Sequence, residues 1–184
     1  DLKGRGDWAL CKGINQFVFH VYIHQPWEDK KPGVNAWFGT EFNRHNTWFD
    51  EGKAWIDYLR RCTVMLQAGQ PVADVAYFID EDTPKMTGIC EPELPPGRDF
   101  DFINSEVIKN DLSVKNGILT LRNSVNYRVL VLPKSTTMRP ELLRKIRSLV
   151  KAGATVVGTL PSASPSLENF PKGDDEVRKL AREV

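Results

Sequence analysis

The sequence predicts an α/β protein in two parts. Its later region alternates short apolar runs with amphipathic helical patterns, which is typical of a parallel sheet with crossover helices. Its early region has a short helical pattern followed at once by an apolar, alternating segment over 17–27. Such a strand has nothing to pack against alone, so we expect residues 1–70 to end a larger parallel α/β array. Residues 71–184 are predicted to form a second α/β domain.

Composition and charge exclude several classes of function. The net charge of +1 over 184 residues gives no support for binding to nucleic acid or to an anionic membrane surface. No apolar run approaches the ~20 residues that a membrane-spanning helix needs, so we expect no membrane insertion. Cys11, Cys62 and Cys90 lack C-x-x-C spacing and indicate neither a disulfide framework nor a zinc site.

The segment FVFHVYIHQPW, residues 17–27, is predicted to be a strand that Pro26 ends. Successive side chains of a strand point to opposite faces, so His20, Tyr22 and His24 share one face and apolar residues share the other. Polar rings at the carboxyl end of a strand are typical of a substrate site in a barrel. The alternative is a half-buried strand whose histidines make only structural hydrogen bonds.

The residues that precede and follow this strand predict a helix, a loop and a second helix. Asp7 is a plausible N-cap for a short helix that Gly13 ends. Residues 28–45 form a long loop in which Trp37, Phe38 and Phe42 argue against disorder, because such rings need burial or a ligand. Alternatively, these rings only plug the end of a core.

A long helix is predicted after this loop. Asn46 or Thr47 can cap it, and Asp50 and Glu51 would lie in its first turn, where the helix dipole favours anions. Gly69 and Pro71 end the pattern. One apolar stripe runs along the predicted helix: Trp48, Trp55, Leu59, Cys62 and Leu66.

The second region carries the pattern strand, helix, strand, helix, strand, with an inserted hairpin. Asn116-Gly117 between two β-prone runs is a specific hairpin signal. The predicted elements are a strand over 72–79, a helix over 102–109, a hairpin over 112–121, a strand over 127–132, a helix over 139–152, a strand over 154–157 and a helix over 174–184.

We find no catalytic motif in this second region. It lacks G-x-G-x-x-G and G-x-x-x-x-G-K-[ST], and Cys90 lies in a proline-rich loop rather than at a strand-to-helix turn. Asp80, Glu81 and Asp82 follow a strand and could form a metal pocket. A solvated turn is favoured instead, because Pro133 and Lys134 stand where another carboxylate would help after the next strand.

The first region also lacks a convincing acid–base pair. Glycosidases use two carboxyl groups about 5–9.5 Å apart. The nearby carboxylates are Glu28, Asp29, Glu41 and Asp50, and none stands at a clear strand end. His-x-x-x-His on a strand spreads its two rings too far apart for one zinc ion.

Two stretches carry a resemblance to a known family. GINQFVFHVYIHQPW contains the motif V-x-H-x-Y-x-H-Q-P-W, and a later stretch from about Pro32 to Pro84 contains N-T-W. Together they closely resemble the bacterial α-L-rhamnosidases of glycoside hydrolase family 106. The resemblance implies that residues 1–70 are the truncated end of a (β/α) barrel. It also implies that residues 71–184 are a flavodoxin-like or amidotransferase-like parallel-sheet domain.

The resemblance further implies inverting hydrolysis of terminal α-L-rhamnosyl residues of plant or pectic glycans, with a calcium ion assisting at the sugar. A periplasmic or secreted location is implied as well. The family's catalytic glutamates belong to earlier barrel strands, so no acid, base or calcium ligand can be placed on this sequence. The matches offered as lining the sugar subsite are His20, Tyr22, His24, Gln25, Trp27, Asn43 and Trp48.

Three hypotheses remain open at this point. The chain is part of a rhamnosidase-like glycoside hydrolase, inactive alone, as the polar strand face and the resemblance indicate. Alternatively, it is a non-catalytic carbohydrate-binding or regulatory module, because it lacks a carboxylate pair of its own. In the third hypothesis, its aromatic residues have only core roles.

Overall fold

The computed structural model divides the chain into two compact units, Asp1–Gly69 (unit 1) and Gln70–Val184 (unit 2). It describes residues 2–31, 33–34, 37, 42–82 and 88–184. The predictions that concern Phe38 and Glu41 lie outside the described residues. Among the described residues, no helix is both long and apolar enough to pass through a bilayer.

Unit 1 begins with helix α1, Leu2–Cys11. Gly13 ends this region as predicted, with a positive φ of 94° and its N–H donating to the Leu10 carbonyl. The prediction of Asp7 as the N-cap was wrong, because Asp7 lies inside α1. Its carboxylate accepts a hydrogen bond from the Tyr58 hydroxyl at 2.6 Å and pairs with Lys3, so it stabilises the helix from within.

The second helix, α2, is Gly52–Gln67, and it begins later than the sequence predicts. Asp50 and Glu51 precede it instead of lying in its first turn, because residues from Asn43 onward form hydrogen-bonded turns. The apolar stripe is only partly covered: Leu59 is buried, whereas Leu66 is exposed.

The predicted strand over 17–24 is not formed in the structure. A strand needs a neighbour for its backbone groups, and no strand is present among the described residues of unit 1. One backbone hydrogen bond, from the Phe42 N–H to the Val21 carbonyl, supports the segment. Exposure nevertheless alternates over 21–24: Val21 and Ile23 are half-buried, and Tyr22 and His24 are exposed.

The described residues of unit 2 form two sheets and three helices. Four parallel strands form the main sheet in the order β2-β1-β6-β7, and three antiparallel strands form a smaller sheet in the order β3-β4-β5. The strands are β1 (Val75–Phe78), β2 (Phe100–Ile103), β3 (Ser113–Lys115), β4 (Ile118–Thr120), β5 (Asn126–Tyr127), β6 (Val129–Val131) and β7 (Thr155–Val157). The helices are α3 (Ser105–Asn110), α4 (Pro140–Lys151) and α5 (Lys172–Ala181).

Several predicted elements are confirmed in unit 2. Asn116 and Gly117 form the hairpin turn between β3 and β4 with φ values of 51° and 78°, which a type I′ turn requires. Helix α4 ends at Lys151, one residue before the predicted end, and Gly153 follows with a φ of 99°. The parallel strands β1, β6 and β7 lie where strands were predicted.

Two predictions in unit 2 were wrong in detail. Phe102 and Ile103, predicted as helical, belong to β2 because they pair in register with β1. The helix α3 starts only after Asn104, whose side chain accepts a hydrogen bond from the Val107 N–H at 2.9 Å. The single strand predicted over 127–132 is two strands, because the chain passes from the smaller sheet to the main sheet at Arg128.

The two faces of the main sheet are covered differently. One face carries Ala76, Phe78 and Leu130, which join the large core formed with all three helices of unit 2. Residues of the opposite parity, such as Tyr77 and Val131, form a smaller cluster with side chains of the segment 90–94. The Tyr77 hydroxyl fixes this segment by donating to the Pro92 carbonyl at 2.5 Å.

The acidic run after β1 is only partly the solvated turn that the sequence favours, since Asp82 is exposed but Glu81 is not. Only 4% of the Glu81 side chain is exposed, and it accepts hydrogen bonds from the Arg139 N–H at 2.7 Å and Nε at 2.6 Å. Arg139 is the N-cap residue of α4, where free N–H groups favour an anion. Glu81 therefore connects the end of β1 to the start of α4.

Leu143 and Leu167 provide a matched test of where the stability of unit 2 comes from. Leu143 is fully buried in α4, and Leu167 is 85% exposed. We expect Leu143→Ala to lower the free energy of unfolding by about 2–5 kcal/mol, because it leaves a cavity in the core. Leu167→Ala should change it by less than about 0.5 kcal/mol. Urea denaturation followed by circular dichroism measures both, and equal effects would contradict this assignment of the core.

Candidate functional site

The seven residues predicted to line a sugar subsite fall into two groups in unit 1. Five are exposed and can meet a ligand: His20, Tyr22, His24, Trp27 and Trp48. The exposed fraction is 58% for Tyr22 and 44% for Trp27. Gln25 and Asn43 are buried instead, at 5% and 1% exposure.

Gln25 holds a loop rather than facing solvent. Its side-chain Nε2 donates to the Val34 carbonyl at 2.5 Å, and its Oε1 accepts from the Val34 N–H at 3.0 Å. A primary amide has both a donor and an acceptor, as a backbone peptide group has. The Gln25 side chain therefore makes the two hydrogen bonds to Val34 that a neighbouring strand would otherwise make. The buried Gln25 therefore fixes the segment that carries His24 and Trp27.

Arg44 and His45 hold the backbone of the same segment from the other side. The Arg44 Nη2 donates to the Gln25 carbonyl at 2.6 Å, and its Nε donates to the Glu28 carboxylate at 2.9 Å. The His45 Nε2 lies 2.9 Å from the Trp27 carbonyl oxygen. Because that oxygen only accepts, Nε2 must carry the proton.

Asn43 fixes the backbone turn that carries Arg44 and His45. Its Oδ1 accepts from the His45 N–H at 2.9 Å, and its carbonyl accepts from the Asn46 N–H at 3.1 Å. Such an Asn side chain fixes a local turn. Sequence reasoning selected Asn43 but missed Arg44 and His45, since neither has a periodic or motif signal beyond adjacency to Asn43.

The aromatic residues of unit 1 form a cluster around Phe42. Its ring lies 4.9 Å from Phe19, 5.4 Å from Trp48 and 6.0 Å from Trp55, measured between centroids. These distances and the edge-to-face Phe42–Trp48 geometry are favourable for aromatic packing. Trp48 therefore has a packing role in addition to its exposed surface.

Trp27 and Tyr22 present rings outside this cluster. The Lys30 ammonium lies 4.2 Å from the centre of the Trp27 ring, and the Tyr22 ring contacts Phe49 at 6.5 Å. Aromatic rings stack on the apolar faces of sugars, and imidazole nitrogens exchange hydrogen bonds with hydroxyls. Tyr22, His24 and Trp27 thus supply the groups that a sugar site uses.

Of the described carboxylates near this site, that of Glu28 is held by an arginine. The guanidinium of Arg44 holds the pKa of Glu28 below its usual range by hydrogen bonding to its carboxylate. Glu28 thus stays ionised and is a poor proton donor at neutral pH. Asp29 and Asp50 are exposed, and Glu41 lies outside the described residues.

No metal site is formed by the part of the chain that the structure describes. No group of three or more His, Cys, Asp or Glu side chains comes together there in a way that could hold an ion.

Comparisons with known proteins match one family model and two long relatives. A family model described as alpha-L-rhamnosidase, glycoside hydrolase family 106, matches residues 1–184. A Formosa agariphila protein named "Putative beta-glucuronidase" is 46% identical over 183 residues, which is 98% of this chain and 16% of that protein. The structure of a rhamnosidase from Novosphingobium sp. PP1Y matches 96% of this chain with a TM-score of 0.78 and 34% identity.

These relatives are much longer than the chain. The match covers 17% of the Novosphingobium rhamnosidase and a similar share of the Formosa protein, so the chain spans about a sixth of their length.

The Arg44–Glu28 contact gives a testable pKa change. Arg44→Gln should raise the pKa of Glu28 towards its ordinary value, because the hydrogen bond from the guanidinium that lowers it is lost. The contact thus stabilises the folded chain above the ordinary glutamate pKa of ~4.3, and this effect is lost as the pH falls through the lowered value. A carboxyl-carbon NMR titration measures the shift.

Arg60→Gln is the matched control, because Arg60 pairs with Asp57 rather than with Glu28. An unchanged Glu28 pKa in Arg44→Gln would disprove the contact.

Proposed function

Since the chain belongs to the α-L-rhamnosidase family, glycoside hydrolase family 106, we propose that it forms part of the sugar site of a larger glycoside hydrolase. In this proposal the intact enzyme removes terminal α-L-rhamnosyl residues from plant or pectic glycans with inversion, outside the cell or in the periplasm. Its catalytic carboxylates and any calcium ligands lie beyond this chain. The observation that carries the proposal is the exposed, internally fixed segment with His24 and Trp27.

We propose that unit 1 is the end of a (β/α) barrel, and its sparse packing supports this. Leu59 is the one buried hydrophobic side chain among the described residues of unit 1. The Trp55 indole N–H is buried, and no described residue accepts a hydrogen bond from it, which costs free energy unless another group supplies an acceptor. An apolar cleft of about 380 Å³ beside α2 is lined by Phe17, Phe19 and Leu59 among others.

The exposed apolar side chains of unit 1 agree with this interpretation. Trp8 is 66% exposed, Val18 90% and Met65 78%. A surface with many large, exposed apolar side chains is typical of a region that another part of the protein covers. In the intact enzyme we expect earlier barrel elements to cover them.

A second candidate function is a non-catalytic carbohydrate-binding or regulatory module. It is favoured by the lack of an acid–base pair among the described carboxylates of unit 1. The exposed rings of Tyr22 and Trp27 would serve such a module equally well.

Hydrolysis assays separate the two candidates. We expect the intact parent protein to hydrolyse an aryl α-L-rhamnoside and this chain alone to be inactive, since it lacks the acid–base pair. Trp27→Ala in the parent should lower kcat/KM about tenfold, because a sugar-stacking ring is lost. Leu167→Ala is the control, as this exposed side chain lies in unit 2.

Three results would count against the proposal. A parent without glycosidase activity would favour the binding module. A parent that hydrolyses an aryl β-D-glucuronide but no rhamnoside would show that the sugar is a different one. A general loss of stability in Trp27→Ala, without a specific effect on turnover, would indicate a core role for Trp27.

The barrel proposal also predicts how the chain responds to protease. Trypsin should cut the isolated chain first before Val72, at sites up to Arg61, and leave a resistant piece that contains 72–184, because unit 2 has the large core and unit 1 has little. Intact-mass measurement of the digest identifies the resistant piece. Uniform resistance of both units would contradict the proposal.

The control for this experiment is the fluorescence of the chain before digestion. All five Trp residues lie within the first 55 positions, so their emission reports on unit 1 alone. Urea should change this emission at lower concentrations than it changes the backbone amide NMR signals of unit 2.

A further inference from the structure

The main sheet of unit 2 has a topological switch point between β1 and β6, where the direction in which strands are added to the sheet reverses. From β1 the chain passes to β2 on one side, and it then continues through β6 and β7 on the other side. In open parallel sheets, the connections on the two sides of such a point separate and leave a crevice at the carboxyl ends of the strands. In unit 2 this crevice must lie beyond Phe78 of β1 and Val131 of β6.

The structure has a cavity of about 420 Å³ at this place. Asp80 and Asp82 line it from the connection that follows β1, and Lys134, Ser135 and Thr136 line it from the connection after β6. The volume lies within the range of small-molecule sites.

Hydrogen bonds fix the connections that form the cavity. Glu81 turns away to bind Arg139, and this leaves its neighbours Asp80 and Asp82 on the cavity side. The Thr136 carbonyl accepts from the Ser162 N–H at 2.8 Å, which joins the connection after β6 to that after β7.

Two further contacts complete the walls. Glu91, which also lines the cavity, forms an ion pair with Lys134. The Ser135 hydroxyl lies 3.2 Å from the Thr137 carbonyl and 3.3 Å from its N–H, so it holds the turn after β6. The cavity is therefore formed before any ligand binds, which lowers the entropic cost of binding.

We propose that this cavity, formed by Asp80, Asp82, Glu91, Lys134, Ser135 and Thr136, binds a neutral polyhydroxylated ligand such as a monosaccharide. Its lining offers carboxylates that accept hydrogen bonds, together with an ammonium and hydroxyls that donate them. A sugar hydroxyl both donates and accepts, so it is satisfied by such a mixed lining. The site lies in unit 2 and does not depend on the function proposed for unit 1.

Two other ligand classes fit this lining poorly. Among the described lining residues the one ammonium, that of Lys134, is already paired with Glu91, so an anion such as phosphate would compete with a carboxylate for it. The carboxylates do not converge as metal ligands do, since the described residues contain no group of three or more that could hold an ion. A neutral ligand avoids both difficulties.

The test is an NMR titration of the isolated chain with methyl α-L-rhamnopyranoside and, separately, methyl α-D-glucopyranoside. We expect at least one sugar to bind with a millimolar Kd and to shift the backbone amide signals of Asp80, Asp82, Ser135 and Thr136. Inorganic phosphate and calcium chloride, titrated in the same way, should leave these signals in place.

Asp82→Asn is the variant that probes the site. It keeps the side-chain shape but removes the charge that strengthens hydrogen bonds from sugar hydroxyls, so Kd should rise about tenfold. Asp175→Asn is the matched control, because Asp175 is exposed on α5 and pairs with Arg178. The amide spectrum of each variant shows that the fold is retained.

The proposal is overturned if neither sugar shifts these four signals, or if phosphate or calcium shifts them instead. It is also overturned if Asp82→Asn, with its spectrum otherwise unchanged, binds as the unmodified chain does. Sugar-induced shifts confined to residues 20–48 would support the function proposed for unit 1 and overturn this one. Shifts at the cavity alone would support this site, whatever the parent hydrolyses.

Discussion

The parallel pairing of β1 with two neighbours is the constraint on which unit 2 depends. All four residues of β1 are buried, and the strand pairs in register with β2 on one side and β6 on the other. Because side chains alternate, this pairing sends Ala76 and Phe78 into the helical core and Tyr77 to the opposite face. The same pairing brings the ends of β1 and β6 together, so it also positions the cavity beyond them.

Backbone groups of unit 1 obtain hydrogen-bond partners by means other than strand pairing. It has no strand partner for the segment 20–27 among the described residues, so side chains supply the missing groups. Gln25 bonds to both backbone groups of Val34, and Arg44 bonds to the Gln25 carbonyl. These bonds hold Trp27 in place without a sheet. A segment held this way has little buried apolar area to support it, which is why its stability should depend on neighbouring structure.

The elements that sequence predicted best are those with strong local signals. The hairpin at Asn116-Gly117 follows from residues that tolerate positive φ, and α4 follows from an apolar stripe that ends at Gly153. Phe102 was wrongly predicted to be helical. Its conformation is decided by pairing with β1, which is far away in the chain, and the local sequence contains no signal of that pairing. The strand expected over 17–24 has the right alternation but no neighbouring strand among the described residues, and alternation alone cannot supply one.

The candidate sugar site shows the same division between local and distant information. Alternation predicted one common face for His20, Tyr22 and His24, and all three are exposed in the structure. Gln25 was selected by the family resemblance and proves to be structural. Whether an amide faces a ligand or a backbone depends on what lies opposite, and Val34 is nine residues away in a loop. Arg44 escaped prediction because a single arginine in a polar loop is normally solvated. Its role arises only from the carbonyl groups of the segment 25–28 that it meets in the fold.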